Sequence, residues 1–141
     1  MKRQLLAGGV IALAALSGCA SHQATPHAPT MAQRVTAWYA GPGGNNFQTV
    51  RADIDVLALD ADNNDVTGVE ADAGQLTYDA TLAASTPPPV TPDLYSRAMT
   101  DYAHAGQLAS GGDFTDSAAD LAAGTALIRQ VTDALPAFAQ E

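Results

Sequence analysis

The sequence predicts an all-α protein: an up-and-down four-helix bundle with a short extra N-terminal helix. Three observations carry this. In four long segments apolar residues recur at spacings of three and four, the period of one helix face. Proline and glycine cluster between those segments, where they act as breakers. No stretch alternates apolar and polar residues long enough to make a useful strand.

The elements follow in order. Residues 20–29 (ASHQATPHAP) are small, polar and proline-containing, the composition of a tether. Residues 31–40 form a short first helix that stops at Gly41-Pro42-Gly43-Gly44. Asn45 or Asn46 then caps a second helix with Phe47, Val50, Ile54, Leu57 and Ala61 on its inner stripe. Residues 60–65, from Asp60 to Asp65, are a polar break. Thr67 and Glu70 have the spacing of a capping box, and Val66, Val69, Ala73, Leu76, Ala80 and Ala83 make a bundle seam behind it. Residues 85–92 (STPPPVTP) form a stiff connector in which Thr91 caps a helix that has Pro92 at its first position. Leu94, Ala98, Tyr102, Ala105 and Leu108 continue a face to about Ser110, and Gly111-Gly112 ends it. Asp113 caps the last helix, whose stripe holds Phe114, Ala118, Leu121, Ile128, Val131 and Leu135 and which ends near Leu135-Pro136. Thr125 falls on that stripe, so its hydroxyl needs a partner such as a carbonyl one turn back.

The start of the chain has a different character. Lys2 and Arg3 precede an uncharged apolar run over residues 5–16, which is shorter than the roughly 20 residues a spanning helix needs. Leu16-Ser17-Gly18-Cys19 closes that run and resembles the lipobox of bacterial lipoproteins. The resemblance implies cleavage before Cys19 and a diacylglyceryl group on its thiol, giving an anchor at the outer face of the cell membrane. Two acyl chains anchor stably where one is marginal, since each buried methylene contributes about 0.8 kcal/mol. The chain then divides into a signal peptide (1–18), a lipidated Cys19 with its tether (19–30) and a helical domain (31–138). Cys19 is the only cysteine, so the domain folds without an internal disulfide.

Charge excludes some partners. Beyond residue 18 four arginines face fifteen carboxylates, a side-chain sum of −11 with no lysine. Such a surface is repelled by nucleic acid and by anionic lipid headgroups.

Trp38-Tyr39 followed by Gly43-Gly44, the connector Pro87-Pro88-Pro89-Val90-Thr91-Pro92-Asp93, and the late Asp113 and Gly124 are similar to a class of small, uncharacterised lipoproteins of high-GC Gram-positive bacteria. That resemblance implies a helical bundle and an anchored location, and it implies no activity. Many members of the class carry a cysteine on each of two middle helices. Here Gly74 and Gly106 occupy the comparable stretches, so the resemblance implies that a stapling disulfide is absent.

Residues that might carry chemistry are sparse. Asp60, Asp62 and Asn64 match the first three positions of a calcium loop, but Asp65 replaces the required glycine and Ala71 the required glutamate. His22 and His27 on the tether lack companion ligands, and His104 has only Asp101 nearby on its helix. No nucleophile elbow is present, and the GPGGNN run lacks the lysine and the strand of a phosphate loop. Arg97 with Asp93 and Asp101, and Arg129 with Asp133, have the spacing of helix-surface pairs. Trp38 and Tyr39 either plug one end of the bundle or contact a ligand or partner. The sequence therefore leads to a non-enzymatic membrane-anchored protein with no metal, no cofactor and no nucleic-acid partner. Its expected role is to bind a protein partner; the alternative is a small ligand or divalent cation, held by the Trp38 end or by the acidic residues 60–65.

The anchor has a direct test. Replacing Cys19 with serine is expected to move the chain from the membrane fraction to the soluble fraction and to abolish its labelling by a fatty-acid probe.

Overall fold

A capping box opens the first helix of the computed structural model, which describes residues 27–138. In α1 (Met31–Tyr39) the Thr30 hydroxyl accepts from the Gln33 amide at 3.2 Å, and the Gln33 side chain accepts from the Thr30 amide at 2.8 Å. The expected signal peptide, Cys19, His22 and most of the expected tether lie outside the described residues.

The remaining helices are α2 (Pro42–Asp62), α3 (Val66–Ala84), α4 (Pro92–Ser110) and α5 (Phe114–Phe138). Their stripes follow the sequence periodicity, but several ends differ from it. α2 starts at Pro42, not after Asn45, because proline at the first helical position is preorganised and its missing N–H is lost to no bond there. Gly43 and Gly44 are thus inside the helix, where they serve close packing instead of breaking it. At the next break, Asp65 caps α3 by accepting from the Gly68 amide at 3.0 Å. The Thr67–Glu70 capping box does not form, since Thr67 already sits in the first turn. Thr91 does not cap α4. It adopts a left-handed conformation (φ 52°), and its hydroxyl donates to the Val90 carbonyl at 2.7 Å. Asp113 does cap α5, accepting from the Asp116 amide at 3.2 Å. α5 runs through Pro136 to Phe138, because a proline in a last turn deprives only the Thr132 carbonyl of its donor.

The protein is a helical bundle. Helices adjacent in sequence pack on one another: α2 on α3, α3 on α4, and α4 on α5, while α1 lies against both α2 and α5. Short connections make the long neighbours antiparallel. Leu76, Tyr95, Met99, Val50 and Val131 are the largest fully buried apolar side chains, each contributing on the order of 1.5–3 kcal/mol or more by burial. Leu59 and Leu82, at the edge of their stripes, stay exposed. Among the described residues no helix is long and apolar enough to cross a membrane.

The α3–α4 seam is built from small residues. Ala73, Ala80 and Ala83 face Ala98, Ala105 and Ala109, all buried. Gly106 lies so close to α3 that a methyl group there would collide with the Ala73 carbonyl and the Thr77 backbone. Across that contact the Thr77 hydroxyl reaches the Ala103 carbonyl at 3.3 Å as well as its own Ala73 carbonyl at 3.0 Å. Gly74, one residue on from Ala73, faces open space.

These two glycines give opposite expectations. Gly106→Ala overpacks the seam and should cost about 1–3 kcal/mol. Gly74→Ala removes a flexible residue from an exposed helix interior and should add about 0.5–1 kcal/mol. Urea unfolding of the two variants checks both signs.

Candidate functional site

Two features stand out from the packed core: an aromatic end and an open side. The aromatic end is built by α1 and the start of α2. Trp38 is half-buried, and its indole N–H donates to the Thr86 carbonyl at 2.8 Å. Asn46, expected as a helix cap, instead donates to the Thr86 hydroxyl at 3.2 Å. The α3–α4 connector is thereby tied to α1 and α2 through one residue. The indole packs edge-on to Tyr95 (5.8 Å) and to Tyr39 (5.0 Å), and at a tilt to Phe47 (6.2 Å). Gly43 permits this, since any side chain there would overlap the indole. Tyr95 is buried and its hydroxyl has no partner among the described residues; burial pushes the phenol up to about 12. Tyr39, by contrast, is 42% exposed. Trp38 thus fills the end of the bundle while Tyr39 lies over it.

The open side lies between α2 and α5. Among the described residues no Cα of one helix comes within 8 Å of any Cα of the other. A cleft of about 180 Å³ occupies the gap. Ile54, Leu57 and Ala61 form one wall, and Phe114, Ala118 and Leu121 the other. Val69 and Ala109 make the floor. Phe114, 40% exposed, also borders an adjoining hollow of about 210 Å³ with Val66 and Asp65. The stripes explain the apolar lining: each wall is the inner face of its helix, left without the neighbour that would close the ring.

The cleft occupies the second half of α2 and the first turns of α5. α1 braces the opposite end, where α2 begins and α5 finishes. Between the two ends the lining turns polar, with Arg51, Asp55, Tyr102 and Thr125. The Tyr102 hydroxyl meets the Thr125 hydroxyl at 3.2 Å, so Thr125 finds its partner on α4 and not one turn back on its own helix. Burial raises the Tyr102 phenol, partly offset by Thr125 and the Arg51 charge.

The other candidate residues remain scattered. Asp60 and Asp62 belong to the last turn of α2, so residues 60–65 form no continuous loop. Among the described residues no group of three His, Cys, Asp or Glu side chains is placed to hold a metal ion. His104 pairs with Asp120 of α5 at 2.5 Å, not with Asp101 of its own helix. His27 is exposed ahead of α1. The pairs of Arg97 and Arg129 with neighbouring aspartates do not close within 4 Å; His104–Asp120 is the one such contact among the described residues. Exposed long side chains gain little from pairing in water and keep their rotamer freedom instead. The open side escaped the sequence reading because the α2 and α5 stripes look complete; only their tertiary spacing leaves them unpaired.

No family model, curated protein or solved structure matches the chain.

The two aromatic neighbours should respond differently to substitution. Trp38→Phe removes the donor to Thr86 and should cost about 1–3 kcal/mol by leaving a half-buried carbonyl unpaired. Tyr39→Ala should cost less than about 1 kcal/mol, because the ring lies over the cluster with 42% of the residue's surface exposed. Thermal and urea unfolding of the pair measures the difference.

Proposed function

We propose that the chain is an exported lipoprotein, held at the outer face of the cell membrane by lipid on Cys19, that binds a protein partner through the α2–α5 cleft and catalyses no reaction. The apolar cleft carries this reading. Ligand pockets for small molecules usually enclose about 300–1,000 Å³. A cleft of about 180 Å³ suits one or two side chains better, such as the apolar knobs of a partner helix laid between α2 and α5. Polar residues further along the same gap, Arg51, Asp55 and Thr125, give such a partner an orientation.

The position of the cleft fits the anchor. The tether joins the domain at α1, and the cleft opens at the other end of the bundle. The cleft lining on α2 runs from Ile54 to Ala61, about 18–28 Å along the helix from Pro42. A lipid on Cys19 would leave the cleft facing away from the bilayer. The role is an adaptor's: it localises a partner, and the acidic surface discourages contact with nucleic acid and anionic headgroups.

A charged side chain in the cleft wall separates binding from folding. Ala118 is exposed and borders the cleft, so Ala118→Glu should shift unfolding by less than about 0.5 kcal/mol. It should also abolish the crosslink that a photoreactive residue at Leu121 forms with its partner in intact cells. An Ala118→Glu chain that captures the same partner at the wild-type yield removes the cleft from this reading.

A further inference from the structure

The α2–α3 seam contains carboxyl groups that face each other with no cationic side chain of the described residues paired to them. Asp53 on α2 reaches the Asp79 carboxyl on α3 within hydrogen-bonding range, and Asp60 reaches Asp72 in the same way. The two pairs share one register: seven residues forward on α2 match seven residues back on α3, as two antiparallel helices with aligned faces require. Asp79 is 8% exposed, and Gln75 donates to one of its oxygens at 2.5 Å. One oxygen of Asp53 is buried and meets no donor among the described residues.

That arrangement is costly if both carboxyls are charged. Two like charges would sit together in a partly dry seam, and the orphaned Asp53 oxygen would lack any hydrogen bond. One proton relieves both problems, because it removes a charge and supplies the missing donor. Burial is the first cause that raises the Asp53 carboxyl, to about 6, followed by the charges of Asp79 and Asp72.

We propose that Asp53 and Asp79 hold one shared proton and act as a pH-sensitive clasp that seats α2 against α3. Above the titration point the proton leaves to bulk water, both carboxylates are charged, and α2 loosens. The groups around the pair support that outcome. From α3 it faces Asp72 and Asp79 beside the neutral Gln75, and α2 adds Asp60 two turns on. Arg51 of α2 lies on the far side of the helix, toward Tyr102 and Thr125. Arg34 and Tyr39 of α1 have no part in the Asp53 environment. α2 makes no backbone approach to α5 within 8 Å, so α3 is the one long helix that holds it. The same helix forms a wall of the cleft, but the clasp stands whether or not a partner binds there.

The sign follows from the raised folded-state value. A carboxyl that holds its proton more tightly when folded contributes stability fully below its unfolded value, near 4, and loses it as pH rises through about 6. The experiment is urea unfolding of the full chain in detergent with a chelator, from pH 4.5 to 8, for the wild type, Asp53→Asn and the control Asp55→Asn, an exposed α2 aspartate on the α5 side of the helix and not in the α2–α3 seam. The wild type and Asp55→Asn should lose at least about tenfold in folded-to-unfolded ratio across that range relative to Asp53→Asn, whose amide donates to Asp79 at every pH. Parallel pH profiles for all three chains would overturn the clasp. Should Asp53→Asn not fold, carbonyl NMR of the wild type decides: an Asp53 titration near 6 supports the shared proton, and one near 4 refutes it. Hydrogen exchange supplies the structural readout, with α2 amides expected to open at least tenfold more than α4 amides above pH 7 after intrinsic-rate correction. Equal opening of the two helices would also count against it.

Discussion

The close approach of α3 and α4 at Gly106 is the constraint on which the rest of the bundle depends. With backbone against backbone at that point, the buried alanines on either side fit and larger residues would not. The bulk of the core is then displaced to the flanks: Leu76, Met99, Tyr95 and Tyr102 fill space that the narrow seam cannot. A spine this thin leaves α2 and α5 to pack on its two edges. They cannot both cover the spine and also meet each other along their length. The aromatic cluster around Trp38 fills the gap at one end, and α1 bridges it from above. At the other end nothing comparable fills it, and an apolar cleft results.

That asymmetry gives the molecule a direction. The end braced by α1 is fixed by Trp38, whose indole joins α1 to the connector before α4 through Thr86. The connector in turn holds Thr91 in a left-handed conformation that a β-branched residue rarely adopts. Neighbouring prolines offset this by limiting the alternatives open to the unfolded chain. The far end relies on short breaks and side-chain caps, Asp65 for α3 and Asp113 for α5. An end tied together by Trp38 and Asn46 and an open apolar end opposite it form the arrangement on which the partner-binding proposal rests.

Helix faces were legible in the sequence because burial imposes a period on the apolar residues. Phe47, Val50, Leu57, Ala73, Leu76, Ala80, Ala98, Tyr102, Val131 and Leu135 all lie on predicted stripes and are all buried. Helix ends were less legible because the same residue types serve two purposes. Gly43 and Gly44 read as breakers, yet they are helical so that Trp38 and the Tyr39 backbone can sit against them. Asn46 reads as a cap and instead binds Thr86 across the fold. The cleft was not legible at all, since a stripe shows that a face is apolar and not whether a neighbour covers it. The Asp53–Asp79 pair was hidden for a related reason: neither residue lies on a predicted stripe, and only the register of α2 on α3 brings them together.

That pair also follows from the composition. Polar contacts between helices are usually closed by lysine or arginine, but the domain has no lysine and its four arginines make no ion pair within 4 Å among the described residues. Its inter-helix polar contacts use other donors. The Thr77 hydroxyl crosses to α4, the Tyr102 and Thr125 hydroxyls join α4 to α5, and His104 meets Asp120. Between α2 and α3 the polar residues that meet are carboxyls, with Gln75 serving one oxygen only. When a helix seam places acid against acid and offers no cation, a proton is the remaining donor small enough to enter it. The acidic neighbours strengthen this tendency, because the charges of Asp79 and Asp72 add to burial in raising the affinity of the Asp53 carboxyl for its proton. The carboxylate excess of the composition therefore makes a proton-held seam easier to sustain.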